Sequence, residues 1–134
     1  MEKIRSKISG ELLHVVCRMD NVKDSRLDLS QEEEALQVAA KRLPAGEKFP
    51  SHIHIENNRI TSTTQESWVV VKGSVSVDFY DVDKIRICSR VLNSGDCSVS
   101  FGGGHGMEIL ENDTILYEFK NGPYVGKVKD KVMI

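Results

Sequence analysis

The amino-acid sequence predicts an all-β fold of many short antiparallel strands. Three observations carry this expectation. Apolar and β-branched residues alternate with period two, as in Val75, Val77 and Phe79 against Ser74, Ser76 and Asp78. Turn residues recur between such runs, and no long segment shows helical spacing. Short strands that each present one buried and one wet face assemble into a sandwich or a barrel.

Taken in order, Met1 to Asp28 mixes charges with apolar pieces such as Leu12-Leu13-His14-Val15-Val16, and reads as an extended arm or edge strand. From Ser30, Ser-Gln-Glu-Glu-Glu offers a helix N-cap with Glu33 in capping-box position, and the alternating Leu36, Val38 and Ala40 follow. One helical turn feeding a strand satisfies both signals. Beyond the Pro44-Ala45-Gly46 turn, β-rich segments are expected at Phe49 to Ile55, Glu66 to Val71, Ser74 to Tyr80, Ile85 to Leu92, Ser98 to Phe101, Met107 to Leu110 and Thr114 to Phe119. Their separators include Lys72-Gly73, Asn93-Ser94-Gly95-Asp96 and Gly102-Gly103-Gly104. Asn121-Gly122-Pro123-Tyr124 turns the chain into a polar tail. No repeat or linker divides the sequence, so residues 1–134 are read as one domain: an arm with edge strands over 1–29, a barrel over 30–120 and a C-terminal tail over 121–134.

Composition narrows the partners. The 134 residues suffice for one core without covalent staples. Hydrophobic residues make up 40%, charged residues 28%, and the net charge is −2, which gives no electrostatic reason to expect nucleic acid or an anionic membrane. Apolar runs such as Trp68 to Val71 are too short to span a bilayer. The charged start Met1-Glu2-Lys3-Ile4-Arg5 has no apolar core behind it, and a cytoplasmic location is expected. Cys17, Cys88 and Cys97 form no CxxC pair and are odd in number, so buried reduced thiols are expected. Lys72, Asp81, Asp83 and Lys84 read as solvated turn charges, Trp68 as core, and His14 has no assigned role.

One constellation points to chemistry. His52 and His54 are one residue apart, so on a strand they project to the same side and converge on one ion. Glu66 shares a strand face with Trp68 and Val70, and a carboxylate among apolar side chains needs a partner. His105 shares alternation with Met107 and Ile109, behind three glycines that allow a tight turn. Three imidazoles and a carboxylate suit one divalent transition metal (Mn, Fe, Co, Ni, Cu or Zn) and in six-coordinate geometry leave two positions open for water or substrate.

These residues resemble the motifs of the cupin superfamily. Gly46, His52, His54, Glu66 and Gly73 follow its first motif, and Gly95 with His105 the second, together covering Gly46 to about Ile109. The resemblance implies a double-stranded β-helix, a jelly-roll barrel with little helix, holding a metal on His52, His54, Glu66 and His105. The chain departs from the pattern in three ways. The spacer Ile55 to Gln65 is long, Phe101 stands where proline is usual, and Ile109 stands where asparagine is usual. Glu56, in phase with His52 and His54, is the rival carboxylate. Glu66 is preferred because Gly73 lies at the expected distance beyond it. The polar spacer is expected at the barrel mouth as a lid or substrate-contacting loop.

Gly122-Pro123-Tyr124 is similar to a segment in short cupins of bacterial surface-polysaccharide clusters. The function this resemblance implies is a metal-dependent isomerase or epimerase acting on a sugar or sugar nucleotide, with Glu66 or a second carboxylate moving the proton. A non-catalytic module binding metal and small ligand, or an Fe(II) dioxygenase, are the alternatives. A homodimer is expected, because small barrels often cover an exposed edge by lending a strand.

Overall fold

Alternation along the strands decides the layers. The computed structural model describes residues 1–124 and 126–134, apart from the side chains of Lys127 and Val128. Among the described residues ten strands form: β1 (Glu2–Arg5), β2 (Leu12–Cys17), β3 (Leu27–Asp28), β4 (Ala39–Ala40), β5 (Glu66–Lys72), β6 (Ser74–Tyr80), β7 (Arg86–Asn93), β8 (Cys97–Ser100), β9 (Gly104–Ile109) and β10 (Ile115–Lys120). A five-stranded sheet runs β1-β2-β8-β5-β10, a three-stranded sheet β7-β6-β9, and β3 pairs with β4. Every pairing is antiparallel.

Between the two larger sheets lies one core of Ile4, Val16, Trp68, Val70, Val75, Val77, Phe79 and Leu92, with Met107 and Leu116 packed against it. Residues of opposite parity on the five-stranded sheet face the other way. There Val15, Cys17, Cys97 and Val99 meet Leu29, Phe101 and the flanking Leu27, Leu36 and Val38. The β3–β4 ribbon therefore covers the outer face of the large sheet, giving three layers and two apolar seams.

The all-β expectation holds, and Ser74 to Tyr80 forms β6 with the expected bounds. Other expectations are corrected. The sheets do not close into a barrel among the described residues, because β7 and β9 bound the small sheet and β1 and β10 the large one. The N-terminal stretch supplies the expected edge strand, β1, but β2 lies inside the sheet between β1 and β8, because Leu13, Val15, Val16 and Cys17 are all buried. The helical turn at Ser30 is absent. Ser30 instead donates its hydroxyl to the Leu36 carbonyl and accepts from the Val38 amide, which closes a turn into the two-residue β4.

Phe49 to Ile55 is no strand. Every residue from 41 to 63 is exposed. The segment alternates, but it places His52 and His54 on one side and Ile53 and Ile55 on the other. The row of Phe49, Ile53 and Ile55 is apolar, yet all three stay exposed, because no strand pairing among the described residues receives the segment.

Two turns depend on special residues. Gly73, between β5 and β6, has φ +80°, and a Cβ there would land on the Thr114 side chain, so glycine is required on both conformational and steric grounds. Asp81, expected as a solvated turn charge, is buried. Its carboxylate accepts from the Ser6 hydroxyl at 2.7 Å and from the Lys7 and Val82 amides at 2.6 and 2.8 Å. These bonds tie the end of β1 to the end of β6. Although burial alone would raise it, they hold the Asp81 carboxyl below its usual value.

Candidate metal centre

One end of the inter-sheet cleft gathers the polar residues. Glu66 opens β5, and register places it beside Ser100 of β8 and Lys120 of β10. Ser100 in turn lies opposite His14 of β2. A row His14, Ser100, Glu66, Lys120 thus crosses the large sheet on its inner face. From the small sheet, His105 of β9, paired with Phe79 of β6, points into the same space.

His105 Nε2 lies 3.5 Å from Glu66 Oε1. Its ring stands edge-on to Trp68, with centroids 4.9 Å apart, so the indole wall fixes the imidazole against the carboxylate. His105 Nδ1 is buried and without a hydrogen-bond partner, an arrangement that costs free energy unless something compensates it. Lys120 Nζ is 3.8 Å from Glu66 Oε2 and 3.0 Å from Glu118 Oε1, and it lies 5.0 Å from the centre of the Tyr124 ring. Burial would push the Glu66 carboxyl up. His105 and then Lys120 outweigh it and hold Glu66 below the usual carboxylate value.

His14 completes the row as a structural group. It is wholly buried, with Nδ1 2.9 Å from Ser100 Oγ and Nε2 3.1 Å from the Tyr80 carbonyl. A carbonyl only accepts, so Nε2 carries the proton and Nδ1 accepts from the serine. The neutral ring bridges the two sheets and packs on Phe79, with centroids 4.9 Å apart. Burial pushes its pKa down to about 4. The alternation of β2 placed His14 on a strand, but nothing local in the sequence showed that Ser100 and Tyr80 would meet it.

Glu66 and His105 are therefore brought together, whereas His52 and His54 are not brought to them. The latter two lie in the exposed segment with their rings 5.0 Å apart, and His52 Nδ1 is 3.0 Å from the Pro50 carbonyl. Glu56 is exposed in the same segment. Among the described residues, no three His, Cys, Asp or Glu side chains converge as a group that would hold a metal. No helix there is long and apolar enough to cross a membrane. No family model, curated protein or solved structure matches the chain.

Proposed function

We propose that the protein is a metal-binding cupin acting on a small polar substrate, with Glu66 and His105 as the preformed half of its ligand set. The observation that carries this reading is the 3.5 Å between His105 Nε2 and Glu66 Oε1. That separation is long for an N–H···O bond. Two ligand atoms each about 2.1 Å from one ion lie about 3.0 Å apart as neighbours in six-coordinate geometry and about 3.4 Å apart in four-coordinate geometry, so a small inward shift would bring the pair onto a shared cation.

In this reading His52 and His54 supply the other half. The paired imidazoles sit in a segment with little to hold it, since Ile53 is 94% and Ile60 100% exposed. The outer edge of β9, where no strand pairs among the described residues, is the acceptor this reading assigns to an added strand over Phe49 to Ile55, which would carry both histidines toward His105 and extend the small sheet in the manner of a double-stranded β-helix. A divalent transition ion held there would act as a Lewis acid on a carbonyl or hydroxyl. Lys120, one-quarter exposed beside Tyr124, would in this reading orient an anionic or hydroxyl-rich substrate. A sugar or sugar nucleotide undergoing isomerisation or epimerisation fits these groups. A homodimer joined through the open edge of β10, where Ile115, Tyr117 and Phe119 are exposed, belongs to the same proposal.

A second reading, binding without turnover, is favoured by one feature. The two carboxylates described at this end of the cleft, Glu66 and Glu118, both pair with Lys120, which weakens either as a base. Incubating metal-loaded protein with candidate ketoses and aldoses in deuterated water separates the readings. Deuterium entering the carbon beside the carbonyl, and lost in His105→Ala, is the result expected of the enzyme. Saturable binding without exchange would leave only the binding module.

A further inference from the structure

Three strongly placed features lie outside the proposed centre: the basic groove beside Lys23, Lys41 and Arg42, the aromatic row on β10, and the thiols under the β3–β4 ribbon. The thiols support the most specific chemistry. Cys17 ends β2, Cys97 begins β8, and the two are direct cross-strand partners. Residues of the same parity on one pleated face point the same way, and both side chains enter the outer apolar seam beside Val15 and Val99. Direct partners in an antiparallel ladder have Cα atoms about 4.5–5.5 Å apart, within the span of about 4.4–6.8 Å that a disulfide bridges. Both thiols are free and buried.

We propose that Cys17 and Cys97 are a redox pair that closes to an intramolecular disulfide under hydroperoxide. In the first step the Cys97 thiolate attacks one peroxide oxygen. The O–O bond breaks, and Cys97 becomes a sulfenic acid as hydroxide leaves and takes up a proton. In the second, the Cys17 sulfur attacks the sulfenic sulfur, the S–O bond breaks and water leaves. Overall, two thiols are oxidised and one peroxide is reduced to two waters. Cys97 is assigned the first attack because the Ser67 hydroxyl lies beside its sulfur. It also lies two residues beyond Gly95, which lines a groove of about 770 Å³ with Met19 and Val22.

Burial raises both thiols above the ordinary cysteine value, which makes closure slow and confines it to openings of the ribbon. Ser67 Oγ, 3.5 Å from Cys97 Sγ, is the polar neighbour of the attacking sulfur. The bond would tie the N-terminal hairpin to the centre of the large sheet. Cys88, partly buried on β7 in the other sheet, is replaced by serine so that only the pair is read.

The experiment treats the folded Cys88→Ser protein with hydrogen peroxide, then counts thiols under denaturing conditions and maps peptides without reduction. Loss of both thiols, a fall of about two mass units in the intact chain and a linked peptide joining Cys17 to Cys97 are expected, with unfolding shifted up by several degrees, an effect reversed by a reductant. Oxygen addition to Cys97 without a linked peptide would overturn the proposal. Two thiols still titrating after an exposure that oxidises the urea-unfolded chain would also overturn it. In Cys17→Ser/Cys88→Ser, Cys97 should instead stop at an oxygenated acid that never forms the internal link.

Discussion

Near pH 4.5 the protein is expected to be about 2–3 kcal/mol less stable than near pH 7.5 because of His14 alone. An unfolded histidine titrates at its ordinary value of 6.5, whereas the folded ring, buried between the sheets, titrates at about 4. Between those values the unfolded chain binds the proton that the folded chain refuses. Stability therefore rises with pH across this window and falls as the solution is acidified through it. Urea unfolding at a series of pH values measures the slope. His14→Gln removes the titrating group, and the slope between about pH 6.5 and 5.5, above the range where carboxylates titrate, should vanish whatever the variant's absolute stability.

The carboxylates leave the upper part of this window clear. Glu66 and Asp81 are held below their usual values of 4.5 and 3.8. Their contributions are complete well above those values and are lost progressively as pH falls from the unfolded values toward the lower folded ones. A wild-type slope confined to below about pH 4.5 would show that His14 is not the acid-sensitive group.

The second large effect is metal-linked stability. An ion bound only by the folded chain adds about 2.7 kcal/mol when its free concentration is one hundred times the dissociation constant. On the proposed ligand set, adding Mn, Fe(II), Co, Ni or Zn to chelator-treated protein should raise the unfolding midpoint, and the increment should vanish in Glu66→Ala. Asp113→Asn, which alters an exposed turn carboxylate just before Ile115, the β10 residue paired with Lys72 at the end of β5 away from Glu66, should keep the full increment. Equal increments in all three proteins would place the binding elsewhere.

Much of this architecture was legible in the sequence, because period-two alternation is a local property. Val75, Val77 and Phe79 announce β6, and Glu66, Trp68 and Val70 announce the inner face of β5, and both form as expected. The same alternation misled at Phe49 to Ile55, where Phe49, Ile53 and Ile55 share a side but stay exposed, because alternation does not say whether a neighbouring strand will receive the segment. The chain also concealed contacts between distant residues. His14 acquires its meaning only when β2 lies beside β8 and Tyr80 reaches across from the small sheet. Asp81 looked like a turn charge because Ser6 and Lys7, which bury it, lie over seventy residues away.

The candidate site divides along the same line. Glu66 and His105 sit on strands whose registers bring them together, and alternation correctly turned both inward. His52 and His54 were read from spacing alone, and spacing says which residues would converge on an ion without saying what holds their segment in place. Lys120 went unnoticed because nothing in Glu118-Phe119-Lys120 distinguishes an inward lysine from a solvated one. Only pairing of β10 with β5 sets it against Glu66.

The most direct test of the central claim is X-ray absorption fine structure at the zinc edge of the zinc-loaded protein. Three imidazole nitrogens at about 2.0–2.1 Å with one carboxylate oxygen are predicted, as His52 and His54 join His105 and Glu66 around one ion. A single imidazole, or zinc that washes away during desalting, would contradict the account.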